Sequence, residues 1–366
     1  CKKACNYCDF HFSTSLKMKA NFVDALIYEI QLRKDVFSNE LISSIYLGGG
    51  TPSLLSSEEL KRIFHSLYDC FNIKEDAEIT LEANPDDLSN HKIKEFSLSE
   101  INRISIGVQS FRDSDLKFMN RSHSSLQALT SIKRCQDVGL NDLSIDLIYG
   151  TPGMTDDQWL KNLNMSFALE VPHISSYALT VEDNTLLQYK ILTKKISPVS
   201  EVQSAKQFRL LMLEMKKENY NQYEISNFCR ANNFSKHNSS YWRKKASMGL
   251  GPSAHSFIGK IRLWNISNNQ KYIESIKQNI LPQEKEILSP KDEYNEYVMT
   301  SLRTMWGCNI NTIQQQFPSS YFKYFIREIK THQDMGWIQE SDGVYRLTDE
   351  GKLFADRISS DLFITN

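Results

Sequence analysis

Residues 42–52 read ISSIYLGGGTP, a short apolar run that breaks into three glycines, a threonine and a proline. Such a run predicts a strand, and the glycines after it offer bare backbone groups to a ligand. The next segment decides how the strand is used. Residues 57–71, SEELKRIFHSLYDCF, space their apolar positions as a helix does, with Ser57 placed to cap and Glu58 and Glu59 at the positive end. The same rhythm returns at EITLEANP (78–85), RISIGVQSF (103–111), LSIDLIYGTPG (143–153) and ISSYALTVEDNT (174–185). Strand, loop and helix in repetition imply parallel strands joined by right-handed crossovers. The expected fold is therefore α/β, a full or partial (β/α)6 barrel whose site lies at the C-terminal strand ends. Gly48, Gly49, Gly50 and Thr51 fall at one such end, Glu82 and Asn84 at the next, Gln109 and Ser110 at a third, and Asp146 late in a fourth. A carboxylate on an apolar strand costs free energy unless it meets a partner, which marks Glu82 and Asp146 as site candidates. Gln109 and Arg121, the latter in MNRSHS, read equally well as ordinary structural residues when taken singly. A barrel strand is also expected ahead of the first cysteine, and its absence reads as N-terminal residues missing from the sequence.

Composition narrows the function classes. The chain has 366 residues, and its 43 Lys and Arg nearly cancel 44 Asp and Glu, so no basic field points to nucleic acid. No stretch approaches the roughly 18 apolar residues of a membrane span, and no leader precedes Cys1, which fits a cytoplasmic protein. Of seven cysteines, three stand in residues 1–10, CKKACNYCDF. An odd count with one tight cluster argues for reduced thiolates on a metal rather than a disulfide framework. CX3CX2C supplies three thiolates where a closed centre takes four ligands. Cys70 and Cys135 sit in helical patterns and read as small hydrophobes, and Cys229 and Cys308 are isolated. Two readings remain on spacing alone: a [4Fe–4S] cluster with one iron open to a small molecule, or zinc completed by His11 or Asp9.

The domain plan divides the chain in three. Residues 1–185 form the barrel core. Residues 186–284 connect, through the helix SEVQSAKQFRLLMLEMKKENY and an irregular stretch containing HNSSYW (237–242) whose polar length reads as surface. Residues 285–366 change character: two amphipathic helices, with Gly336 as a C-cap, precede a short hairpin at Asp342–Gly343 and a final helix, the pattern of a winged-helix-like α+β domain. Without a basic excess, that domain is expected to cover the barrel or dock a partner protein rather than DNA.

CKKACNYC, GGGTPSLL, LEANPDDL, ISIGVQSF, NRSHS, DLIYGTPG, YEISNF and HNSSYW occur in one order along the whole chain. In that order they resemble the radical S-adenosylmethionine (SAM) superfamily, and within it the family of oxygen-independent coproporphyrinogen III dehydrogenase and the heme chaperone HemW. The resemblance implies that Cys1, Cys5 and Cys8 bind three irons of a [4Fe–4S] cluster and that SAM chelates the fourth. It implies further that Gly50 and Thr51 line the methionine end of SAM. Glu82, Gln109, Arg121 and Asp146 would fix its charged and hydroxyl groups, and the Ala178 backbone would meet the adenine. The dehydrogenases add a fourth cysteine at the position of Phe10; phenylalanine there, with HNSSYW, is the chaperone pattern. That branch implies heme binding and delivery to haem-requiring respiratory proteins, with His237 or His255 as candidate iron ligand and Tyr241 and Trp242 as flat apolar surface. Peripheral membrane association is compatible with it. SAM cleavage is left open, and the alternative is oxidative decarboxylation of coproporphyrinogen III in porphyrin biosynthesis.

Overall fold

In the computed structural model, which describes residues 1–365, five parallel strands lie side by side in chain order. They are β1 (Leu41–Leu47), β2 (Asn72–Ala83), β3 (Arg103–Gln109), β4 (Leu143–Tyr149) and β5 (His173–Ala178). Crossover helices Ser57–Cys70, Asn90–Ser97, Ser125–Asp137 and Asp156–Ala168 connect them. Three of these open with a capping box, Ser56 with Glu59, Ser124 with Gln127 and Thr155 with Gln158. The first cap is thus Ser56, one residue before the expected Ser57, because its extended backbone turns the hydroxyl onto the Glu59 amide. Alternate strand residues such as Ile79, Leu81, Ile104, Ile106, Ile145 and Leu147 are buried against the helices. The opposite face carries Thr80, Glu82, Ser105, Ser144, Asp146 and Ser175, so the concave side of this partial barrel is polar.

Residues 186–284 differ from the irregular surface stretch the sequence suggests. β6 (Asn221–Glu224) and β7 (Asn227–Cys229) extend the main sheet, β7 pairing antiparallel with β5. Tyr223, Phe228 and Cys229 are fully buried there. HNSSYW lies within a regular helix, Lys236–Trp242, capped by Ser235. β8 (His255–Ile258), β9 (Ile261–Asn265) and β10 (Gln283–Ile287) make a separate antiparallel sheet. Two strands of three and four residues show no readable period, and β10 is exposed along its length, which is why neither signal appears in the sequence. Glu29, on helix Lys19–Leu32, ties this region to the barrel. Fully buried, it accepts from Arg33 Nε (2.8 Å), Asn265 Nδ2 (2.7 Å), the Gly251 amide (2.7 Å) and the Tyr272 hydroxyl (2.6 Å).

Helices Pro290–Leu302, Ile310–Gln316 and Ser319–Asp334 build the C-terminal part, with β11 (Cys308–Asn309), β12 (Ile338–Ser341) and β13 (Val344–Leu347) as its antiparallel sheet. Asp342 and Gly343 both adopt positive φ, 54° and 75°, as a two-residue hairpin turn with the strands' own twist requires. Tyr294, Leu302, Cys308, Phe325, Ile329 and Ile358 form its own apolar core. Among the described residues, no helix is long and apolar enough to cross a membrane.

Candidate functional site

The polar concave face closes around a cavity of about 80 Å³ lined by Tyr46, Glu82, Asp146, Tyr177 and, from the HNSSYW helix, Ser235 and Asn238. Glu82 is held from two sides: Tyr46 Oη donates to Oε1 (2.8 Å) and the Gly49 amide to Oε2 (2.9 Å). Burial raises its pKa and these two donors offset part of that. Asp146, in the middle of β4 rather than late in it, stands deeper. Burial and then the Glu82 carboxylate raise it to about 7, against the Ser175 hydroxyl and the Arg121 and Arg103 guanidiniums. Two carboxylates that resist sharing negative charge in one recess make a ready site for a cationic or polyhydroxylated ligand.

The glycine run frames this recess. A Cβ on Gly48 would lie 2.4 Å from Tyr46 Cε1 and 2.7 Å from Glu82 Oε1, so only hydrogen fits. Gly49, at φ 82°, and Gly50 border open space, with nothing within 4 Å of an added Cβ. Thr51 then donates its hydroxyl to Cys1 Sγ (3.2 Å).

The cysteine loop has almost no regular structure, and the segment after β3 holds it. Asn6 donates through its backbone to Met119 O (3.0 Å) and through Nδ2 to Phe118 O (2.6 Å), while Asn120 Nδ2 reaches Ala4 O (2.7 Å). Arg121 follows, donating from Nη2 to Asn84 Oδ1 (2.6 Å) and Gly107 O (2.7 Å), and from Nη1 to Cys5 Sγ (3.4 Å). Gln109 ends β3 with φ 64°, an uncommon backbone for a non-glycine residue. Its side chain and that of Arg121 share the space left by Gly107, whose Cβ would stand 3.0 Å from each. The structure thus gathers Gly50, Thr51, Glu82, Gln109, Arg121 and Asp146 with the three cysteines. Ala178 sits apart at the end of β5, paired with Tyr149.

His237 lies behind the cavity wall, its ring stacked on Tyr46 (4.8 Å, 20°). Nδ1 is 3.0 Å from Ser44 Oγ and Nε2 3.0 Å from Tyr241 Oη, and burial pushes the imidazole down to about 4, keeping it neutral. Glu78, buried on β2, accepts from the His237 and Lys236 amides (2.9 and 2.7 Å) and Ser235 Oγ (3.2 Å), seating this helix on the barrel. His255 is exposed and stacks on Trp264 (6.3 Å). Sequence reasoning missed Tyr46, Glu78, Asn120 and Tyr177. The alternation of Ser44 with Tyr46 and of Glu78 with Glu82 along their strands was the available signal. Of the residues that the zinc alternative names, His11 does not join the thiols: its Nε2 is turned to Asn269 Oδ1 (2.8 Å).

What this arrangement defines is a radical SAM protein, and the radical SAM superfamily model matches residues 1–165 while the HemN C-terminal domain model matches residues 288–354. The fold is that of coproporphyrinogen III oxidase (HemN) from Escherichia coli, with a TM-score of 0.85 at 22% identity over 99% of this chain and 88% of that one. Curated relatives are closer in sequence. The heme chaperone HemW of Lactococcus lactis is 31% identical, covering 96% of this chain and 92% of its own length, and that of Bacillus subtilis is 30% identical, covering 98% and 95%. A mitochondrial radical SAM domain-containing protein 1 from Dictyostelium discoideum is 32% identical over 98% of this chain and 91% of its own. The chain belongs to the HemW family.

Superfamily membership implies a [4Fe–4S] cluster and SAM, and the residues present fit them. Three thiols share one loop, with Thr51 Oγ1 and Arg121 Nη1 already directed at two sulfurs. Arg121 Nε is buried without a partner, and the glycine run leaves backbone room beside the carboxylate pair. When bound, such a cluster would be placed to supply an electron to the SAM sulfonium. The chain's own part would be to orient that ligand at the C-terminal ends of the strands.

Proposed function

We propose that the protein is a heme chaperone that binds heme alongside a [4Fe–4S] cluster and SAM and passes the heme to haem-requiring respiratory proteins. The observation that carries this reading is nearly full-length similarity to HemW heme chaperones at 30–31% identity. Phe10, 71% exposed, stands where a dehydrogenase-like fourth cysteine would. In this reading Cys1, Cys5 and Cys8 ligate three irons. The SAM carboxylate pairs with Arg121, its ammonium and ribose hydroxyls meet Glu82 and Asp146, and Gly50, Thr51, Gln109 and the Ala178 backbone complete the contacts. Both ring nitrogens of His237 are 3.0 Å from a hydroxyl, Nδ1 from Ser44 and Nε2 from Tyr241, so it becomes an iron ligand only by releasing one of them.

The test is anaerobic reconstitution with iron and sulfide followed by heme titration, read by absorption in wild type, His237→Ala and His255→Ala. Stoichiometric binding lost in His237→Ala and kept in His255→Ala, with coproporphyrinogen III left unconverted by SAM and reductant, is the expected result. Decarboxylation of the porphyrinogen without heme binding would make the protein a dehydrogenase.

A further inference from the structure

The connecting region opens with the short helix Leu186–Leu192, which lies directly on the cysteine loop. The Leu187 amide donates to Asn6 O (2.8 Å), and Leu187 and Ile191 pack with Tyr7 and Phe118. The outward side of this helix is apolar as well. Leu186, Tyr189 and Leu192, spaced three apart and so neighbours on one face, are 48%, 55% and 74% exposed. Basic residues border them. None of Lys190, Lys194 and Lys195 has a carboxylate partner among the described residues, and Lys195 Nζ stands 5.5 Å over the Tyr189 ring. The adjoining acidic residues precede the helix, where Asp183 already accepts from Gln188 Nε2 (2.6 Å), so positive charge gathers at the C-terminal end. An apolar patch edged by uncommitted lysines therefore lies over the loop that carries Cys5 and Cys8.

We propose that this face docks an acidic one-electron carrier protein. The proposal rests on the [4Fe–4S] cluster of the functional reading and not on its heme. A cluster on Cys1, Cys5 and Cys8 that acts on SAM takes its electron from a donor outside the chain, and Asn6, between two of those thiols, touches the helix. In the docked pair one electron passes from the reduced carrier, which is oxidised, to the cluster, which is reduced, and no proton or group moves with it. Carboxylates of the carrier meet the lysines and its apolar rim meets the Leu186, Tyr189 and Leu192 stripe, a pairing that steers encounter and weakens with salt. Size favours a carrier over a membrane. A seven-residue helix offers little apolar area to hold a lipid surface, whereas electron-transfer encounters bury less than about 1,200 Å².

The experiment uses the full-length, cluster-reconstituted protein and a plant-type [2Fe–2S] ferredoxin as the acidic carrier. Calorimetry reads binding of the oxidised ferredoxin, and stopped-flow absorption reads reduction of the cluster by the reduced one. Lys194→Glu/Lys195→Glu reverses two exposed charges, and Leu192→Ser removes the helix's most exposed apolar side chain. Lys323→Glu/Lys330→Glu makes the same change of net charge at exposed positions of helix Ser319–Asp334. Affinity and rate are expected to fall about tenfold or more in the first variant, about threefold in the second and by no more than about twofold in the third. Raising salt from ~20 to ~300 mM should slow wild type and narrow its lead over Lys194→Glu/Lys195→Glu. Reduced methyl viologen, a small cation, should reduce all four proteins alike. If the cluster assembles and ferredoxin treats all four alike, or if Lys323→Glu/Lys330→Glu loses as much as Lys194→Glu/Lys195→Glu, the docking face falls and the cluster stands. If Lys194→Glu/Lys195→Glu loses binding to phosphatidylglycerol vesicles while its ferredoxin affinity and rate match wild type, the face is a membrane contact and the proposal is overturned. Absence of a cluster after reconstitution removes it from the functional reading and the proposal with it.

Discussion

Replacing Asp146 with asparagine should change how stability depends on pH, and in a direction opposite to that of most carboxylates. Asp146 titrates near 7 in the folded chain, chiefly through burial and secondly through Glu82, against about 3.9 in an unfolded one. Between these values the folded state holds a proton that the unfolded state has released. Stability therefore falls as pH rises through this window and levels off above about 7. From pH 5 to pH 7 that is roughly 2 pH units, or about 3 kcal/mol, a ceiling because the adjoining cavity admits water. Asparagine keeps the shape and removes the titration. Urea denaturation of the SAM-free protein at pH 5, 6, 7 and 8, for wild type and Asp146→Asn, isolates the effect, since every other group titrates in both. Relative to wild type, Asp146→Asn should gain up to about 3 kcal/mol across the series. Parallel curves would refute the reasoning and show that the carboxylate pair is solvated well enough to ionise normally.

Gly48→Ala drives a methyl into Tyr46 and Glu82 and should cost about 1–3 kcal/mol with loss of SAM binding by calorimetry, whereas Gly50→Ala, facing open space, should leave the denaturation midpoint unchanged. Glu29→Gln strips the countercharge from buried Arg33 and should destabilise by about 3–5 kcal/mol in urea; a change under about 1 kcal/mol would mean that water reaches Arg33. Arg121→Lys cannot span Asn84, Gly107 and Cys5 together, so iron and sulfide content after reconstitution should fall several-fold while circular dichroism is preserved.

The βα rhythm was legible because each barrel strand buries one face and each crossover helix is amphipathic, leaving periods of two and 3.6 in the chain. Glu82 and Asp146 could be picked out as charges on otherwise apolar runs. Tyr177 could not, since an aromatic residue on a strand looks the same whether it faces a helix or a cavity, and for Tyr46 the one signal was its place two residues after Ser44 on the same face. Asn120 escaped for another reason: it works through a backbone carbonyl 116 residues away, and such a bond leaves no trace in local sequence. The strands after residue 186 were hidden by length and exposure, and the helical state of HNSSYW by its poor intrinsic propensity, which the Glu78 and Ser235 cap overcomes.

The clamp on the cysteine loop also sets an order of events in folding. Asn6 and Asn120 close contacts spanning 112 and 116 residues, and the loop has little regular structure of its own to hold it meanwhile. Closing so long a span costs entropy that must be met by other native contacts first, here the pairing of β1, β2 and β3. The cysteine loop is therefore expected to be among the last segments placed, so that a cluster bound there would report that three strands have already docked.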